Sequence, residues 1–276
     1  MSYQELWRRL ADVYDEGEAK AIARMVYEVG YGLTLSDLLM GRDYEVSHHE
    51  LEQILLRLER HEPIQYVLGE TEFCGRPIYV GPGVLIPRPE TEELCRWIVE
   101  NEVSKVKDEA LSILDIGTGS GCIAITLAAE MSKARVTAWD ISEEALKVAR
   151  RNAAHHHVDV TFEQVDILRS QDPLTQHIIV SNPPYICNKE RAAMAQNVLD
   201  YEPHEALFVP DDDPMLFYRA IATYATTGLK KGGRLYFEIN PLYADALQDM
   251  LSAMRFTHIE TKNDQYGKQR MIKAQR

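Results

Sequence analysis

From about residue 90 onward, short apolar runs alternate with longer amphipathic ones, and this alternation restricts the fold more than any other feature of the sequence. Residues 112–116, 135–139, 158–162, 177–180 and 234–239 have strand length and apolar content. Helical spacing covers 122–131, 143–155 and 214–224. Strands alternating with helices predict an α/β fold: a parallel sheet with helices on both faces, which binds ligands at the carboxyl ends of its strands.

The first sixty residues differ. Leu6, Leu10, Val13 and Tyr14 recur at helical spacing, as do Ile22, Met25, Val26 and Val29, and then Leu51, Ile54, Leu55 and Leu58. Ser36 and Ser47 read as N-caps, and Pro63 stops the last helix. Residues 64–86 mix aromatic and β-branched residues with Gly69, Gly75, Gly81, Pro82 and Gly83, a hairpin or extended pattern. The expected organisation is a helical domain (1–63), a β-hairpin connector (64–86) and an α/β domain (87–276).

The first strand of the α/β region runs into Asp115-Ile116-Gly117-Thr118-Gly119-Ser120-Gly121 and then a helix. Glycines permit a tight turn that brings backbone amides close to a ligand at the positive end of a helix. Dinucleotide sites use G-x-G-x-x-G below a pyrophosphate. Here the spacing is G-x-G-x-G behind Asp115, and a carboxylate there repels a pyrophosphate but attracts a ligand with a cationic amino group. That spelling favours S-adenosylmethionine over NAD, and the lack of a G-K-[ST] ending excludes a P-loop. Asp140, ending the second strand, is placed to accept from a ribose diol. Asp166, after the third strand, is placed to meet an adenine amino group, with Ile167 packing beside the ring.

The fourth strand ends in Ser181-Asn182-Pro183-Pro184-Tyr185. Two prolines fix φ and remove donors, leaving the Asn182 and Pro183 oxygens as rigid acceptors, with Tyr185 as a flat wall. Such a corner suits a planar substrate carrying an –NH₂ group. An amide nitrogen is a poor nucleophile, so catalysis by Asn182, Pro183 and Tyr185 rests on positioning and preorganised electrostatics. The proton that leaves the nitrogen goes to Asn182, the Pro183 carbonyl or water.

Composition removes several classes. Forty-three acidic against 30 basic side chains give a net charge of −13, which argues against broad binding to phosphate backbones. The C-terminal Arg255, Lys262, Lys268, Arg270, Lys273 and Arg276 read as a solvated basic tail. No apolar run or N-terminal signal sends the chain to a membrane, and four scattered cysteines without a C-x-x-C pair point to reduced thiols in the cytoplasm. The histidines at 48–49 and 155–157 cannot converge on one ion from consecutive helical positions, so no metal is expected.

With these motifs in place, the chain resembles the peptide chain release factor glutamine methyltransferases (PrmC/HemK type) over nearly its whole length. The resemblance includes Glu62-Pro63-Ile64-Gln65-Tyr66-Val67-Leu68-Gly69, Val84-Leu85-Ile86-Pro87-Arg88-Pro89-Glu90-Thr91-Glu92, Tyr201-Glu202-Pro203 and Phe217-Tyr218-Arg219. It implies a Rossmann-like, seven-stranded methyltransferase core behind a helical domain that helps grip the protein substrate. The implied reaction methylates the glutamine amide in the Gly-Gly-Gln loop of release factors, with no direct nucleic-acid substrate. It also matches Gly117 to Gly121, Asp140 and Ile167 to cofactor contacts and Asn182 to Tyr185 to the glutamine corner. Ile167 replaces a more usual tryptophan, and Asn240-Pro241-Leu242-Tyr243 departs from the family pattern. The rivals are a glutamine methyltransferase of a ribosomal protein, a nucleic-acid amino-group methyltransferase that flips a base into the same corner, and a noncatalytic cofactor-binding module.

Overall fold

The computed structural model describes residues 1–103, 110–170 and 174–276. In chain order its elements are α1 (Tyr3–Leu10), α2 (Glu16–Tyr31), α3 (Leu35–Leu39), α4 (His48–Leu58), α5 (Ile64–Leu68), β1 (Glu70–Phe73), β2 (Arg76–Tyr79), α6 (Pro89–Glu102), β3 (Ser112–Ile116), α7 (Cys122–Glu130), β4 (Arg135–Asp140), α8 (Glu143–His155) and β5 (Val160–Gln164). There follow β6 (Gln176–Ser181), β7 (Ile186–Cys187), α9 (Gln196–Tyr201), α10 (His204–Leu207), β8 (Phe208–Val209), α11 (Leu216–Gly228), β9 (Leu229–Glu238), α12 (Ala244–Ala253), β10 (Thr257–Asn263) and β11 (Gln269–Gln275). They form two compact units, Met1–Glu70 with Ala195–Tyr201, and Thr71–Met194 with Glu202–Arg276.

The first unit is helical because its apolar residues recur at helical spacing and its helices begin at strong caps. Ser2 and Glu5 form a capping box on α1, Asp15 caps α2, and Ser47 caps α4. Leu6, Leu10, Ile22, Val26, Leu51, Leu55 and Leu58 fill its core. Each such side chain fully buried contributes about 1.5–3 kcal/mol. The cap of α3 is Thr34, in a box with Asp37, and not Ser36, which lies inside the helix. Val13 and Tyr14 lie beyond the end of α1, and Val29 is exposed on α2. Residues 64–86 are not one extended segment. Ile64–Leu68 is a helical turn ended by Gly69 in the left-handed region, and only β1 and β2 form the hairpin.

The second unit is built on a seven-stranded sheet in the order β10-β11-β9-β6-β3-β4-β5. The five strands from β9 to β5 are parallel, whereas β11 pairs antiparallel with β9 and β10 with β11, so the sheet is mixed. The C-terminal segment is therefore not a solvated tail. Met271, Ile272 and Ala274 are buried in β11, while Arg270 pairs with Asp264 and Lys273 with Glu260. The central strand β3 is buried on both faces, as expected of an interior strand of a parallel sheet. Leu114, Ile116, Ile179 and Phe237 of the sheet pack with Tyr218 and Ile221 of α11 and Leu247 and Leu251 of α12. Chain order runs outward from β3 through β4 to β5 on one side and through β6 to β9 on the other. The carboxyl edge at β3 and β6 is thus the switch point where open α/β sheets bind ligands.

Candidate active site

The turn from β3 into α7 carries three glycines at positive φ: Gly117 (76°), Gly119 (55°) and Gly121 (83°). The amides of Gly117 and Thr118 donate to the Trp139 carbonyl at 2.8 and 2.9 Å, and that of Gly119 donates to Asp140 Oδ2 at 2.8 Å. The end of β4 thus holds the loop. A Cβ at Gly121 would lie 3.1 Å from Ala149 Cβ, so this glycine lets α7 close against α8. Beneath the loop, fully buried Asp115 accepts the Thr118 hydroxyl at 2.6 Å, and among the described residues its Oδ1 has no hydrogen bond of good geometry. Burial pushes its carboxyl up to about 7, against the opposing effect of the Thr118 hydroxyl and the Ala124 amide.

A cavity of about 280 Å³ opens above this loop. Ile116, Gly117, Gly119, Asp140, Asp166 and Ile167 belong to its wall, and so do Asn182, Pro183 and Pro184. Two motifs far apart in the chain therefore face one space. Asp115, Thr118, Ser120, Gly121 and Tyr185 are not part of the wall. Asp140 also accepts the Ser142 amide at 2.9 Å. Burial raises its carboxyl above the ordinary range, and the amides of Ser142, Gly119 and Ile141 oppose that rise. Asp166 accepts from the Leu168 amide at 3.0 Å and pairs with Arg169 at 3.3 Å. Glu205 is the third carboxylate of a wall that, among the described residues, contains no basic side chain. Such a lining disfavours a phosphate and favours a cation, and Ile167, Ile116 and Val165 offer an apolar flank for a flat ring. These residues fit S-adenosylmethionine.

The second wall is held from behind. Ser181 Oγ donates to the Ile116 carbonyl at 2.6 Å, tying the end of β6 to that of β3. Asn182 Nδ2 donates to Thr91 Oγ1 at 3.2 Å, and Thr91 Oγ1 donates to Glu238 Oε2 at 2.6 Å. The Tyr185 hydroxyl donates to Glu238 Oε1 at 2.9 Å, so it points into the protein interior. Glu238 is buried, which raises its carboxyl; the hydroxyls of Thr91 and Tyr185 and the Arg270 guanidinium act in the opposite direction. Asn240 Nδ2 donates to the Tyr185 carbonyl at 3.2 Å and its amide donates to the Tyr218 hydroxyl at 3.2 Å, so the unusual 240–243 segment braces this corner.

Thr91 and Glu238 carried no site assignment from sequence, although Thr91 stands in the Pro-Arg-Pro-Glu-Thr segment and Glu238 ends a strand on the ligand-binding edge. Among the described residues no three His, Cys, Asp or Glu side chains are grouped as metal ligands. No described helix is long and apolar enough to cross a membrane.

Residues 3–69 match the PrmC N-terminal domain, and residues 100–206 match the Methyltransferase small domain. The chain is 46% identical over 270 residues to the release factor glutamine methyltransferase of Flavobacterium psychrophilum, covering 96% of this chain and 94% of that one. It is 45% identical over 272 residues to the enzyme of the same name from Bacteroides thetaiotaomicron, covering 97% and 96%. Among solved structures, a methyltransferase from Pyrococcus furiosus shares the fold at 18% identity with a TM-score of 0.52, covering 73% of this chain and 89% of that one. The hMettl16 catalytic domain in complex with MAT2A 3'UTR hairpin 6 does so at 14% identity with a TM-score of 0.55, covering 82% and 80%. With such identity to curated relatives sustained from end to end, the chain belongs to the release factor glutamine methyltransferase family.

Proposed function

We propose that this chain is an S-adenosylmethionine-dependent methyltransferase acting on the side-chain amide nitrogen of a glutamine in peptide chain release factors, the one in their Gly-Gly-Gln loop. The observation that carries the reading is the shared cavity: Asn182, Pro183 and Pro184 face the space that Gly117, Gly119 and Asp140 also line. When bound, S-adenosylmethionine would supply an electrophilic methyl carbon whose bond to the sulfonium sulfur breaks, leaving a neutral thioether, as the carbon–nitrogen bond forms. The proton lost from the nitrogen passes to Asn182, the Pro183 carbonyl or water.

The chain's own residues do the rest. Asp140 accepts from a ribose diol, Asp166 meets the adenine amino group, and Ile167 packs on the ring. Gly117 and Gly119 let the backbone approach, while Thr118, Ser120 and Gly121 shape the loop over Asp115. Asn182 Oδ1 and the Pro183 carbonyl accept the two amide hydrogens of the glutamine. These fixed acceptors orient a nitrogen whose lone pair is delocalised and favour the positive charge that builds on it. Pro184 stiffens the corner, and Tyr185 anchors it through Glu238. The helical unit grips the release factor, and the protein works in the cytoplasm.

Incubation with radiolabelled S-adenosylmethionine and, separately, release factors, ribosomal proteins, DNA and RNA tests this reading. Label is expected on release factors. Label confined to nucleic acid or to a ribosomal protein would overturn it.

A further inference from the structure

We infer that Thr91 and Glu238 are positioning residues that set which end of the Asn182 amide faces the cavity, an inference that rests on the glutamine reading above. The two ends of a carboxamide are nearly equal in size and opposite in hydrogen-bonding character. The proposed reaction needs Oδ1 toward the substrate, because Nδ2 would set one NH₂ group against another. Something must therefore choose the orientation.

The relay makes that choice. A carboxylate only accepts, and Glu238 accepts one hydroxyl hydrogen bond on each oxygen, from Thr91 at 2.6 Å and Tyr185 at 2.9 Å. The Thr91 hydroxyl has a single proton, and it is spent on Glu238. What Thr91 shows to Asn182 is a lone pair, and only Nδ2 is compatible with the 3.2 Å contact. Reversing the amide would place Oδ1 against that lone pair. Thr91 and Glu238 are both buried, at 3% and 1% exposure, so water does not readily replace either partner. Direction thus passes from a buried charge through one hydroxyl to the amide, over a sequence separation that no local motif spans.

The test uses the full-length protein with a release factor as acceptor. Thr91→Val keeps the shape but removes the hydroxyl, and is expected to lower kcat roughly ten- to a hundredfold while the affinity for S-adenosylhomocysteine, measured by calorimetry, stays close to wild type. Thr91→Ser restores the hydroxyl and most of the rate. Glu238→Gln, of equal volume, gives a second break in the relay should Thr91→Val lose its thermal transition. Independently of turnover, the Asn182 side-chain amide protons, identified by NMR from their loss in Asn182→Asp, should exchange slowly in wild type and Thr91→Ser and rapidly in Thr91→Val. Wild-type turnover in Thr91→Val, or unchanged exchange, overturns the inference. A wild-type enzyme that leaves release factors unlabelled instead overturns the functional reading, and the exchange measurement still decides the relay.

Discussion

The backbone N–H of Gly119 donates to Asp140 Oδ2 at 2.8 Å, so one carboxylate both fastens the glycine loop and faces the cavity. Asp140→Ala removes the acceptor for Gly119 and Ser142 together with the proposed diol contact. A hydrogen bond to a charged group is worth about 1.5–3 kcal/mol. The expected outcome is roughly ten- to a hundredfold weaker binding of S-adenosylhomocysteine by calorimetry and a lower Tm. Unchanged affinity would remove Asp140 from the cofactor site.

Asn182→Ala separates binding from chemistry. Cofactor affinity should stay close to wild type, because the glycine loop and Asp140 are untouched. Turnover should fall by about a hundred- to a thousandfold, the scale seen when one preorganised polar contact to a reacting group is lost. Near-normal turnover would remove the amide-clamp mechanism.

Gly121→Ala tests whether the third glycine is there for packing. Alanine would meet Ala149 Cβ at 3.1 Å and would have to hold φ at 83°. Overpacking costs about 1–3 kcal/mol and the left-handed backbone about 1–2 kcal/mol more. Gly117→Ala carries only the backbone cost, since among the described residues nothing lies within 4 Å of its Cβ position. Urea unfolding should rank Gly121→Ala below Gly117→Ala; the reverse order would contradict the assignment.

The buried Asp115 carboxyl, pushed up to about 7, makes folding pH-dependent. The folded state holds its proton more tightly than the unfolded chain, where the carboxyl has its ordinary value near 4. This residue's contribution to stability is therefore greatest below about pH 4, falls between about pH 4 and 7, and is constant above that. Asp115→Asn keeps an acceptor for Thr118 and removes the charge. It should be more stable than wild type at pH 8 by a few kcal/mol, and the advantage should shrink steadily toward pH 4. A difference between the two proteins that does not vary with pH would contradict this account.

The local parts of the site could be read directly from the chain. Strand β3 is buried on both faces and is apolar except for Ser112 at its start and Asp115, and α8 is an amphipathic run, so both stand where the sequence pattern places them. The glycine spacing and the Asn-Pro-Pro-Tyr corner are contiguous, and the strand order brings them to one edge. The Thr91–Glu238 contact joins residues 147 apart, and neither residue type advertises it. The C-terminal strands were obscured by their charges: β10 is an edge strand with polar residues along most of its length, and the Arg270 and Lys273 side chains lie along β11 with paired heads. Thr34 and Ser36 are both good caps, and the choice between them depends on where the chain first turns.

A crystal structure of the protein with S-adenosylhomocysteine and a glutamine-bearing release factor is the most direct test of the shared cavity. The account predicts the adenosyl group between Asp140 and Ile167, the glutamine hydrogens on Asn182 Oδ1 and the Pro183 carbonyl, and the glutamine nitrogen facing the sulfur about 4 Å or less away. A thioether bound elsewhere, or a glutamine that never reaches the corner, would contradict it.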